Sequence, residues 1–530
     1  MISIPNLKLA PGADEAALKA LAAKALKIPA GDIAGLRIRK KSLDARRKDD
    51  IHYVYTVGVT VRGDEQRLVR RCRSAAIAHE KAYPIPHVAP PETRPVIVGF
   101  GPAGMFAALL LARAGARPIV LERGPDARTR SAQIAAFRAG GAFDPECNVQ
   151  FGEGGAGTFS DGKLNTGTHD ARIGFVLAEF AAHGAPEHIT YDAKPHIGTD
   201  VLVEVVQSLR REVIDRGGEV RFGHRVTGLS TEDGRIAALT VRSPGGDYTL
   251  PAQQVILAIG HSARDTFEML HAQGVPMEPK PFSMGVRIEH RQSDINTAQY
   301  GAAAEGLPAA DYSLSCHLPD GSSAYTFCMC PGGEVFAAAS EQGGVCTNGM
   351  SNSRRDGENA NAAVLVTLHP EDFPDKGTLG GMYWQRSIEQ RAYVCGSGNY
   401  HAPAQRVGDF LAGRASTAPG RVQPTYRPGV TWCDLHDVLP ARITATLAQA
   451  LPVFGRKLHG FDDPDAVLTA PETRSSSPVR IVRGPDRCST GVQGLYPCGE
   501  GAGYAGGITS AAVDGLRCAE CVIKALQNEA

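Results

Sequence analysis

A glycine-rich segment near residue 100 constrains the fold of this chain more than any other part of the sequence. The segment VIVGFGPAGMFAALLLARAGARPIVLERG (96–124) begins with three apolar residues, continues into glycines, and then has the composition of a buried helix. A second apolar run ends at Glu122. This order of strand, glycine turn, helix and strand predicts a βαβ unit that binds the diphosphate of a dinucleotide.

Each glycine of the G-x-G-x-x-G turn has a separate predicted role. Gly99 permits the tight turn, Gly101 leaves room for a pyrophosphate, and Gly104 lets the helix approach the strand. The first N–H groups of the helix and its dipole then face the phosphates. Glu122 ends the second strand, where a carboxylate accepts hydrogen bonds from the adenosine ribose. The predicted cofactor contacts in this segment are Gly99, Gly101, Pro102, Ala103, Gly104, Glu122 and Arg123.

Three later segments favour FAD over NAD as the ligand. The loop FGEGGAGTFSDGKL (151–164) is dense in glycine, as expected where backbone passes close to a flat ring or a phosphate. The run VILAIGHSARDT (255–266) predicts a buried strand that ends at a glycine. The run GLYPCGEGAGYAGGITSAAVDGLRCAE (494–520) predicts a strand, a glycine turn and a helix that begins near Ile508.

The last of these segments suits the flavin end of FAD. A carboxylate at Glu500 can hold the ribityl hydroxyls, and the helix N-terminus after Gly507 directs its dipole at the pyrimidine edge of the ring. That field favours reduction, because the reduced ring carries negative charge on this edge. The predicted contacts in the three segments are Gly155, Gly157, Gly260, Gly499, Glu500, Gly507 and Ile508.

Strand and helix patterns predict an α/β protein with a Rossmann-like FAD-binding domain, of βαβ and βββα type, split by an inserted α+β substrate domain. A ferredoxin-like α+β domain precedes it, with the order β-α-β-β over its first eighty-odd residues. A proline-rich linker, YPIPHVAPPETRP, joins the two. The predicted boundaries are 1–87 for the N-terminal domain, 93–275 and 466–530 for the two parts of the FAD-binding domain, and 276–465 for the inserted substrate or cap domain.

The net charge of zero conceals a basic N-terminal domain. Residues 1–87 carry 17 Lys and Arg against 9 Asp and Glu, and much of the excess lies in RIRKKSLDARRK (37–48). Such a run is commonly a solvated hairpin face, and it is also a possible docking surface for an anionic macromolecule. No apolar run reaches the roughly 18 residues of a membrane span, and the N-terminus lacks a secretory leader. We therefore expect a cytoplasmic protein with reduced cysteines.

The chain resembles the two-dinucleotide-fold flavoproteins of the glutathione-reductase type. It is more closely similar to a bacterial family of FAD-dependent dehydrogenases, or NAD(P)/FAD-dependent oxidoreductases. The resemblance implies non-covalent FAD, the split domain, and FAD contacts at the glycines and glutamates named above, and it implies no particular substrate. It covers most of the chain and is carried by LDARRKDDIHYVYTV, VGFGPAGMFAALLLA, NVQFGEGGAGTFSDGKL, AIGHSARDTFEML, CTNGMSN, QRVGDFL, PGVTWCDL, AVLTAPETRSSSPVRI and GLYPCGEGAGYAGGITSAAVDG.

The sequence lacks two features of related enzymes. No CxxxxC pair follows Glu122, which argues against dithiol exchange through the flavin. No second strand–GxGxxG–helix unit is found, which argues against a dedicated NAD(P)H domain. NAD(P)H is then a transient electron donor that enters the substrate cleft, or electrons come from the substrate or a protein donor. No metal site is predicted, and a packing role is predicted for the CxxC pair at Cys518 and Cys521.

Candidate catalytic residues lie in the loops that follow the predicted strands. His261 and Arg264 follow Gly260, and Lys163 lies in the glycine-dense loop. A histidine near flavin N5 can move protons, and arginines in a cleft suit a carboxylate substrate. The segment ETRSSSPVRI is interpreted either as a loop facing a phosphate or carboxylate or as the return into the FAD-binding domain. Further basic candidates are Arg287, His317, Arg391, Arg406 and Arg474.

These features predict an FAD-dependent oxidoreductase that transfers hydride between flavin N5 and a small organic substrate, with a carboxylate as one candidate class. Two alternatives remain open at this point. One is a flavoprotein whose basic N-terminal domain docks RNA or a protein partner. The other is a flavin-dependent monooxygenase.

Overall fold

The N-terminal part of the chain forms a four-stranded antiparallel sheet covered by two helices. The computed structural model describes residues 1–72, 74–79 and 82–529. The sheet order is β2-β3-β1-β4. Its elements are β1 (Ile2–Leu9), α1 (Glu15–Leu26), β2 (Ile33–Asp44), β3 (His52–Val61), α2 (Glu65–Arg71) and β4 (Ala76–Ile77). The predicted β-α-β-β order is present, and a further helix and short strand follow it. Strand β4 pairs with β1 over two residues only, which is too short a run to give a sequence signal.

The basic hairpin formed by β2 and β3 packs against the rest of the molecule. The Lys41 N–H donates to the Tyr191 carbonyl at 2.8 Å, and the Ala193 N–H donates to the Lys41 carbonyl at 2.8 Å. Apolar side chains at Leu43 and Ile51 pack against the core of the central third of the chain. One end of the basic segment is therefore used within the molecule, and a macromolecular partner at this segment stays a prediction.

The next part of the chain alternates strands and helices and begins with the glycine-rich segment. Its strands are β5 (Val96–Val98), β6 (Ile119–Glu122), β7 (Glu219–Phe222), β8 (Arg225–Glu232), β9 (Arg235–Ser243), β10 (Gly246–Pro251) and β11 (Val255–Leu257). Its helices are α3 (Pro102–Ala114), α4 (Ala127–Arg138), α5 (Arg172–Ala182), α6 (Thr199–Asp215) and α7 (Arg264–Ala272).

Two runs that the sequence predicts as single strands are each divided between two sheets. EVRFGHRV is split into β7 and β8 at Gly223, which has a φ of 71°. DYTLPAQQVILAIG is split into β10 and β11 at residues 252–254. Both β8 and β10 belong to a separate antiparallel sheet of order β10-β9-β8, while β7 and β11 enter the parallel sheet. Apolar patterning marks all of these residues as extended but does not say which sheet each half joins.

The central third of the chain builds a second, larger sheet. Its strands are β12 (Met277–Pro279), β13 (Phe282–Arg291), β14 (Ser315–His317), β15 (Ser323–Cys330), β16 (Glu334–Ala337), β17 (Thr347–Met350), β18 (Asn359–Leu368), β19 (Ala402–Arg406), β20 (Val430–Trp432) and β21 (Val467–Glu472). Its helices are α8 (Gln292–Tyr300), α9 (Gly380–Cys395), α10 (Val407–Leu411) and α11 (Ala441–Lys457). Seven of the strands form one sheet of order β14-β15-β18-β13-β21-β19-β20.

Strand β13 shows why the sequence did not reveal this sheet. Nine of its ten residues are buried, and these include the charged side chains of Arg287, Glu289 and His290. A strand buried on both faces is expected to be a nearly continuous apolar run. Buried charged residues that bind partners across the sheet interrupt the apolar run, so the hydrophobic pattern of the sequence does not identify this strand.

The chain returns to the first sheet through β22 (Val479–Ile481), β23 (Leu495–Pro497) and α12 (Ile508–Glu529). Strands β12 and β22 pair antiparallel where the chain enters and leaves the central third. The predicted boundary at residue 465 differs from this crossing point, because β21 pairs with β13 and β19 inside the seven-stranded sheet. The apolar sequence of β21 suits either sheet, so only its strand pairing assigns it to the seven-stranded sheet.

A five-stranded parallel sheet of order β23-β11-β5-β6-β7 joins segments almost four hundred residues apart. Strands β5 and β23 both pair with β11, so the glycine-rich segment and the closing segment are neighbours. One face of the sheet packs on α3, α5, α6 and α12 through Ile97, Val120 and Ile256. The other face packs on β8 to β10 and α7. Burial on both faces explains the continuous apolar runs of these strands.

Close packing of α12 on α3 is expected to depend on Gly515. A Cβ atom at this position would overlap the carbonyl oxygen of Ala103. We expect Gly515→Ala to lower the free energy of unfolding by about 1–3 kcal/mol, because one helix must move to accommodate the methyl group. Urea unfolding of the FAD-free chain measures this change. Gly174→Ala in α5 is the control, since a Cβ there meets open space; an equal loss in both variants would contradict the prediction.

Within the described residues, no helix is both long enough and apolar enough to cross a membrane.

Candidate functional site

A large cavity lies at the carboxyl ends of the parallel strands and reaches the seven-stranded sheet. Its volume is about 460 Å3, within the range of about 300–1,000 Å3 that is usual for ligand sites. The loops after β5, β6, β11 and β23 form one wall, and residues of β15 and β21 line the opposite wall. Open α/β sheets bind ligands at this edge, so the cavity is the candidate functional site.

The glycine turn after β5 fits a phosphate-binding loop. Gly99 has a φ of 99°, and a Cβ there would overlap the carbonyl of Ala258. A Cβ at Gly104 would overlap the carbonyl of Gly99. Gly101 differs, because a Cβ there would meet no atom nearer than the Gly155 Cα at 3.7 Å. Gly99 and Gly104 are thus required by packing, whereas the missing side chain of Gly101 leaves space in the cavity.

Glu122 is buried and fixed by backbone N–H groups. Its Oε2 accepts from Phe100 at 2.8 Å, and its Oε1 accepts from Gly124 at 2.9 Å and from Gly152 at 3.0 Å. A carboxylate offers about four acceptor positions, so one position on Oε2 stays open toward the cavity that Glu122 lines. A single ribose hydroxyl is the ligand group that this arrangement can accept. Three backbone bonds also hold the loops after β5 and β6 in register.

Glycines line the far end of the cavity as well. A Cβ at Gly260, Gly506 or Gly507 would meet no protein atom within 4 Å. All three line the cavity, and Gly507 directly precedes α12. Glu500 lies beside them, with the Gly507 N–H 3.4 Å from its Oε2. At these three glycines the backbone borders the cavity directly, and side chains there would fill part of it. The residues present therefore fit a flat cofactor such as FAD.

The cavity brings together most of the predicted cofactor contacts. Gly104 and Gly499 do not line it: Gly104 packs on Gly99, and a Cβ at Gly499 would lie 2.8 Å from the Ala103 Cβ. These two glycines support helix and loop packing instead. The predicted contacts that do line the cavity are Gly99, Gly101, Pro102, Ala103, Glu122, Arg123, Gly155, Gly157, Gly260, Glu500, Gly507 and Ile508.

Arg123 lines the cavity with its charge already paired. Its guanidinium donates to Glu146 at 2.8 Å and to Asp265 at 2.8 Å, and it lies 4.0 Å from the centre of the Phe151 ring. Burial alone would lower the pKa of Arg123. The carboxylates of Glu146 and Asp265 have the larger combined effect, so the pKa lies above its ordinary value. Arg123 therefore acts mainly as a support for the loop after β6.

Two of the three predicted catalytic residues line the cavity. The Nδ1 atom of His261 lies 3.3 Å from Oε1 of Glu500, and its Nε2 is buried without a hydrogen-bond partner among the described residues. The Nζ atom of Lys163 lies 3.7 Å from Oδ2 of Asp161. Asp161 is already held by Arg355 and Ser351, so the ammonium group of Lys163 keeps capacity for a ligand.

Arg264 lies outside the cavity in a buried ion-pair network. Its guanidinium donates twice to Glu389, at 2.8 Å each, and once to Glu341 at 2.5 Å. Arg474 binds the same Glu389 carboxylate at 2.9 and 2.7 Å. The network joins α7 of the parallel-sheet region to α9 of the central third. Arg264 therefore has the geometry of a structural ion pair, which its position after β11 in the sequence did not reveal.

The other basic candidates have separate locations. Arg406 pairs with Asp409 at 2.7 Å, and His317 and Arg391 are exposed. Arg474 lines the cavity through the network just described, and Arg287 lies behind the cavity wall. The sequence thus predicts arginines near the ligand, but most of these arginines form ion pairs with carboxylates of the protein.

Sequence reasoning missed the residues of the central third that line the opposite wall. They include Tyr312, Phe327, Cys328 and Glu472. Glu472 is the glutamate of ETRSSSPVRI, the one segment that was interpreted as either a ligand-facing loop or a chain return. The segment lines the cavity at Glu472, where β21 ends, and it also carries the chain across to β22.

Comparison with known proteins identifies the parts of this chain. Residues 281–475 match a family model described as FAD-dependent protein, C-terminal domain-like. Residues 92–146 match an FAD binding domain, and residues 1–60 match a domain of unknown function. An uncharacterized protein from Clostridium beijerinckii is 45% identical over 530 residues, which is 99% of this chain and 98% of the relative. The chain belongs to the same family as this relative, and two parts of it match family models of FAD-dependent or FAD-binding domains.

Membership in this family confirms the prediction of an FAD-binding flavoprotein and of an FAD-dependent oxidoreductase. The matched FAD binding domain contains the glycine turn and Glu122. The matched C-terminal domain ends at residue 475, after β21. The family of FAD-dependent proteins thus extends across both walls of the cavity.

Solved structures share only a distant likeness with the chain. The flavin-dependent brominase Bmp2 has a TM-score of 0.39 at 10% identity, over 82% of this chain and 79% of that one. A geranylgeranyl bacteriochlorophyll reductase-like protein from Thermoplasma acidophilum has a TM-score of 0.36 at 12% identity, over 82% and 79%. These values are too low for any property of those proteins to be transferred to this chain.

Proposed function

We propose that this oxidoreductase holds FAD without a covalent bond and exchanges hydride between flavin N5 and a small organic substrate. One observation carries the proposal: a single cavity runs from the glycine turn of β5 to the wall formed by β15 and β21. A cofactor bound along the first wall then faces a substrate on the second. We further propose NAD(P)H as the transient electron donor, reaching FAD through this same cavity.

The proposed domain division follows from the same geometry. An N-terminal α+β unit precedes an FAD-binding unit built on the parallel sheet. The seven-stranded sheet forms the inserted substrate unit, entered at β12 and left at β22. This division keeps β21, and with it Glu472, on the substrate side of the cavity.

Each part of the first wall has a proposed task toward FAD. The Gly101 turn and the N-terminus of α3 bind the diphosphate through N–H groups that lack intrahelical partners. The open acceptor position of Glu122 binds a ribose hydroxyl. Glu500 and the N-terminus of α12 lie where the ring end of the cofactor would be bound, and the helix dipole there favours negative charge. Bound FAD supplies the two-electron chemistry that the side chains of this protein lack.

His261 is the proposed proton-holding residue on this wall. Its Nε2 is the buried atom without a partner, while Glu500 lies next to Nδ1. An imidazole nitrogen without a protein partner is available to take part in proton transfer with a bound ligand. Lys163 is proposed to bind an anionic group of the substrate, because its ammonium group has only a long contact to Asp161.

Anaerobic reduction tests the proposed function. We expect the purified full-length chain to be yellow, and either NADH or NADPH to bleach the visible flavin band when oxygen is absent. Titrating each nucleotide separately identifies the donor. A chain that takes up no FAD contradicts the proposal outright. Bleaching by neither nucleotide removes the NAD(P)H part, and oxygen-dependent NAD(P)H consumption accelerated by a hydroxylatable substrate would indicate a monooxygenase instead.

A further inference from the structure

Three residues that line this cavity each carry a buried polar atom without a hydrogen-bond partner among the described residues. The atoms are Nε2 of His261, the hydroxyl of Tyr312 and Oε2 of Glu472. More than about nine in ten buried polar groups in folded proteins are hydrogen-bonded, so such atoms mark places where a ligand completes the bonding. His261 belongs to the FAD wall. Tyr312 and Glu472 belong to the opposite wall and require a different ligand.

Glu472 is held so that one of its oxygens remains available. Its Oε1 lies 3.3 Å from Nη1 of Arg287, which is fully buried. The remaining donors of Arg287 bind Asn361 at 3.1 Å and the Cys328 carbonyl at 2.9 Å. Arg287 therefore fixes the carboxyl group through one oxygen. Oε2 is buried without a hydrogen-bond partner among the described residues, and Glu472 lines the cavity.

Lys163 supplies positive charge at the same end of the cavity. The Lys163, Arg287 and Glu472 charges all act on the thiol of Cys328, which lines the wall between them. Asp161 is shared by Lys163 and Arg355, and Glu472 is paired with Arg287. With Glu472 ionised, the combined charge of Asp161, Lys163, Arg355, Arg287 and Glu472 is +1. A single anionic group on the ligand balances it.

The same wall also offers an apolar surface. Phe327 is 40% exposed although it is a large apolar residue, and it lines the cavity beside Met329. Exposed aromatic surface inside a cavity is suited to an apolar part of a ligand. The ligand that fits this wall is therefore small, carries one negative charge, and has both an apolar part and a hydrogen-bond donor.

We propose that this wall binds a small carboxylate bearing a hydroxyl or amino group, and that Glu472 is the residue that accepts the proton of that group. The inference rests on the proposed function. In the oxidation, a C–H bond breaks and its hydride passes to bound FAD. The O–H or N–H bond breaks, its proton passes to Oε2 of Glu472, and a C=O or C=N bond forms. Two electrons and two hydrogens leave the substrate.

Glu472 is the group on this wall that changes charge near neutral pH. Burial raises the pKa of Glu472 to about 7, against the opposite effect of Arg287. Burial also raises the pKa of Cys328 to about 12 and the pKa values of Cys330 and Tyr325 above their ordinary ranges. Lys163 and Arg287 are the cations that face the carboxyl group. Ionisation of Glu472 thus adds a negative charge beside the ligand as the pH rises.

Benzoate binding to the FAD-loaded full-length chain tests the inference without requiring turnover. Benzoate carries the carboxylate and the apolar part but no group to oxidise. We expect it to perturb the flavin spectrum and to bind roughly tenfold more weakly at about pH 8.5 than at about pH 6, because ionised Glu472 repels it. Glu472→Gln should bind benzoate with the same affinity at both pH values. Lys163→Met should weaken binding at both.

Glu289→Gln is the matched control. Glu289 is also a buried glutamate of the seven-stranded sheet, and burial raises its pKa to about 7. It is bonded to Thr425 and Asn359 and does not line the cavity. This variant should keep the pH dependence of benzoate binding. If Glu472→Gln fails to fold, Glu472→Asp replaces it and should move the midpoint of the pH dependence.

The outcomes separate this inference from the proposed function. A chain that takes up no FAD contradicts the proposed function. A yellow chain that binds no benzoate, or whose binding falls equally with pH in wild type and Glu472→Gln, overturns the assignment of Glu472 alone.

Discussion

Replacing Gly101 with valine is expected to leave the chain folded but unable to retain FAD. Gly101 has a φ of −78° and a ψ of −173°, an extended conformation that any residue adopts. Its added Cβ would meet no protein atom closer than 3.7 Å, so this atom causes no internal clash. We expect the new side chain to occupy the space beside the N-terminus of α3 where the diphosphate is proposed to bind. We expect FAD to bind at least about a hundredfold more weakly, or about 2.7 kcal/mol.

Quenching of FAD fluorescence on titration into the apo-protein measures this affinity. Thermal unfolding of the apo-proteins provides the comparison of stability, because bound FAD itself raises the Tm of wild type. Gly31→Val is the control, since Gly31 is exposed in the N-terminal part and a Cβ there meets open space. Retention of wild-type FAD affinity by Gly101→Val would show that the diphosphate does not bind at this turn.

The second large effect is expected from Glu389→Gln. Glu389 is 1% exposed and binds the guanidinium groups of Arg264 and Arg474. Removing its charge leaves two buried arginines without their shared partner. Breaking a buried pair in this way costs about 3–5 kcal/mol. A drop in Tm of about 3–5 °C is expected from thermal unfolding of the FAD-free chain, because the entropy of unfolding is large for a chain of 530 residues.

The sign of the pH dependence follows from the same network. Burial opposes ionisation of Glu389, but Arg264 and Arg474 outweigh it and lower the pKa of this carboxyl far below its ordinary value. Its contribution to stability is complete above the unfolded pKa of about 4.3 and is lost as the pH falls below it. Glu278→Gln is the control, because Glu278 forms an exposed pair with Arg480. Equal Tm values for Glu389→Gln and wild type would exclude an energetic role for the network.

The prediction from sequence succeeded where chemistry depends on local spacing. The turn from Gly99 to Gly104 and the closing segment around Glu500 each combine a strand end, glycines and a helix start within a few residues. Their backbone geometry follows from those residues, so cofactor binding could be predicted before the fold was known. Gly499 packs against Ala103 and does not line the cavity, and a glycine required by packing looks the same in a sequence as one that faces a ligand.

Charged residues were harder to predict than glycines. Arg264 directly follows a strand end in the chain, as a catalytic residue would, yet its partner Glu389 lies 125 residues further on. Glu472 and Arg287 are 185 residues apart and meet only because β13 and β21 are neighbours in the seven-stranded sheet. Whether a buried charge serves stability or a ligand depends on such distant partners.

The sequence by itself determined that this protein binds FAD, because the βαβ glycine turn and the closing strand, glycine turn and helix around Glu500 are local structures encoded in consecutive residues. The tertiary structure alone decided which side chains line the cavity opposite the proposed FAD wall. It placed Glu472 and Tyr312 on the cavity wall with unpartnered polar atoms and sequestered Arg264 and Arg474 in an ion-pair network. The physical reason is that the hydrogen-bond partners of a buried polar atom are the residues that folding brings next to it, so the local sequence does not determine whether that atom has a partner.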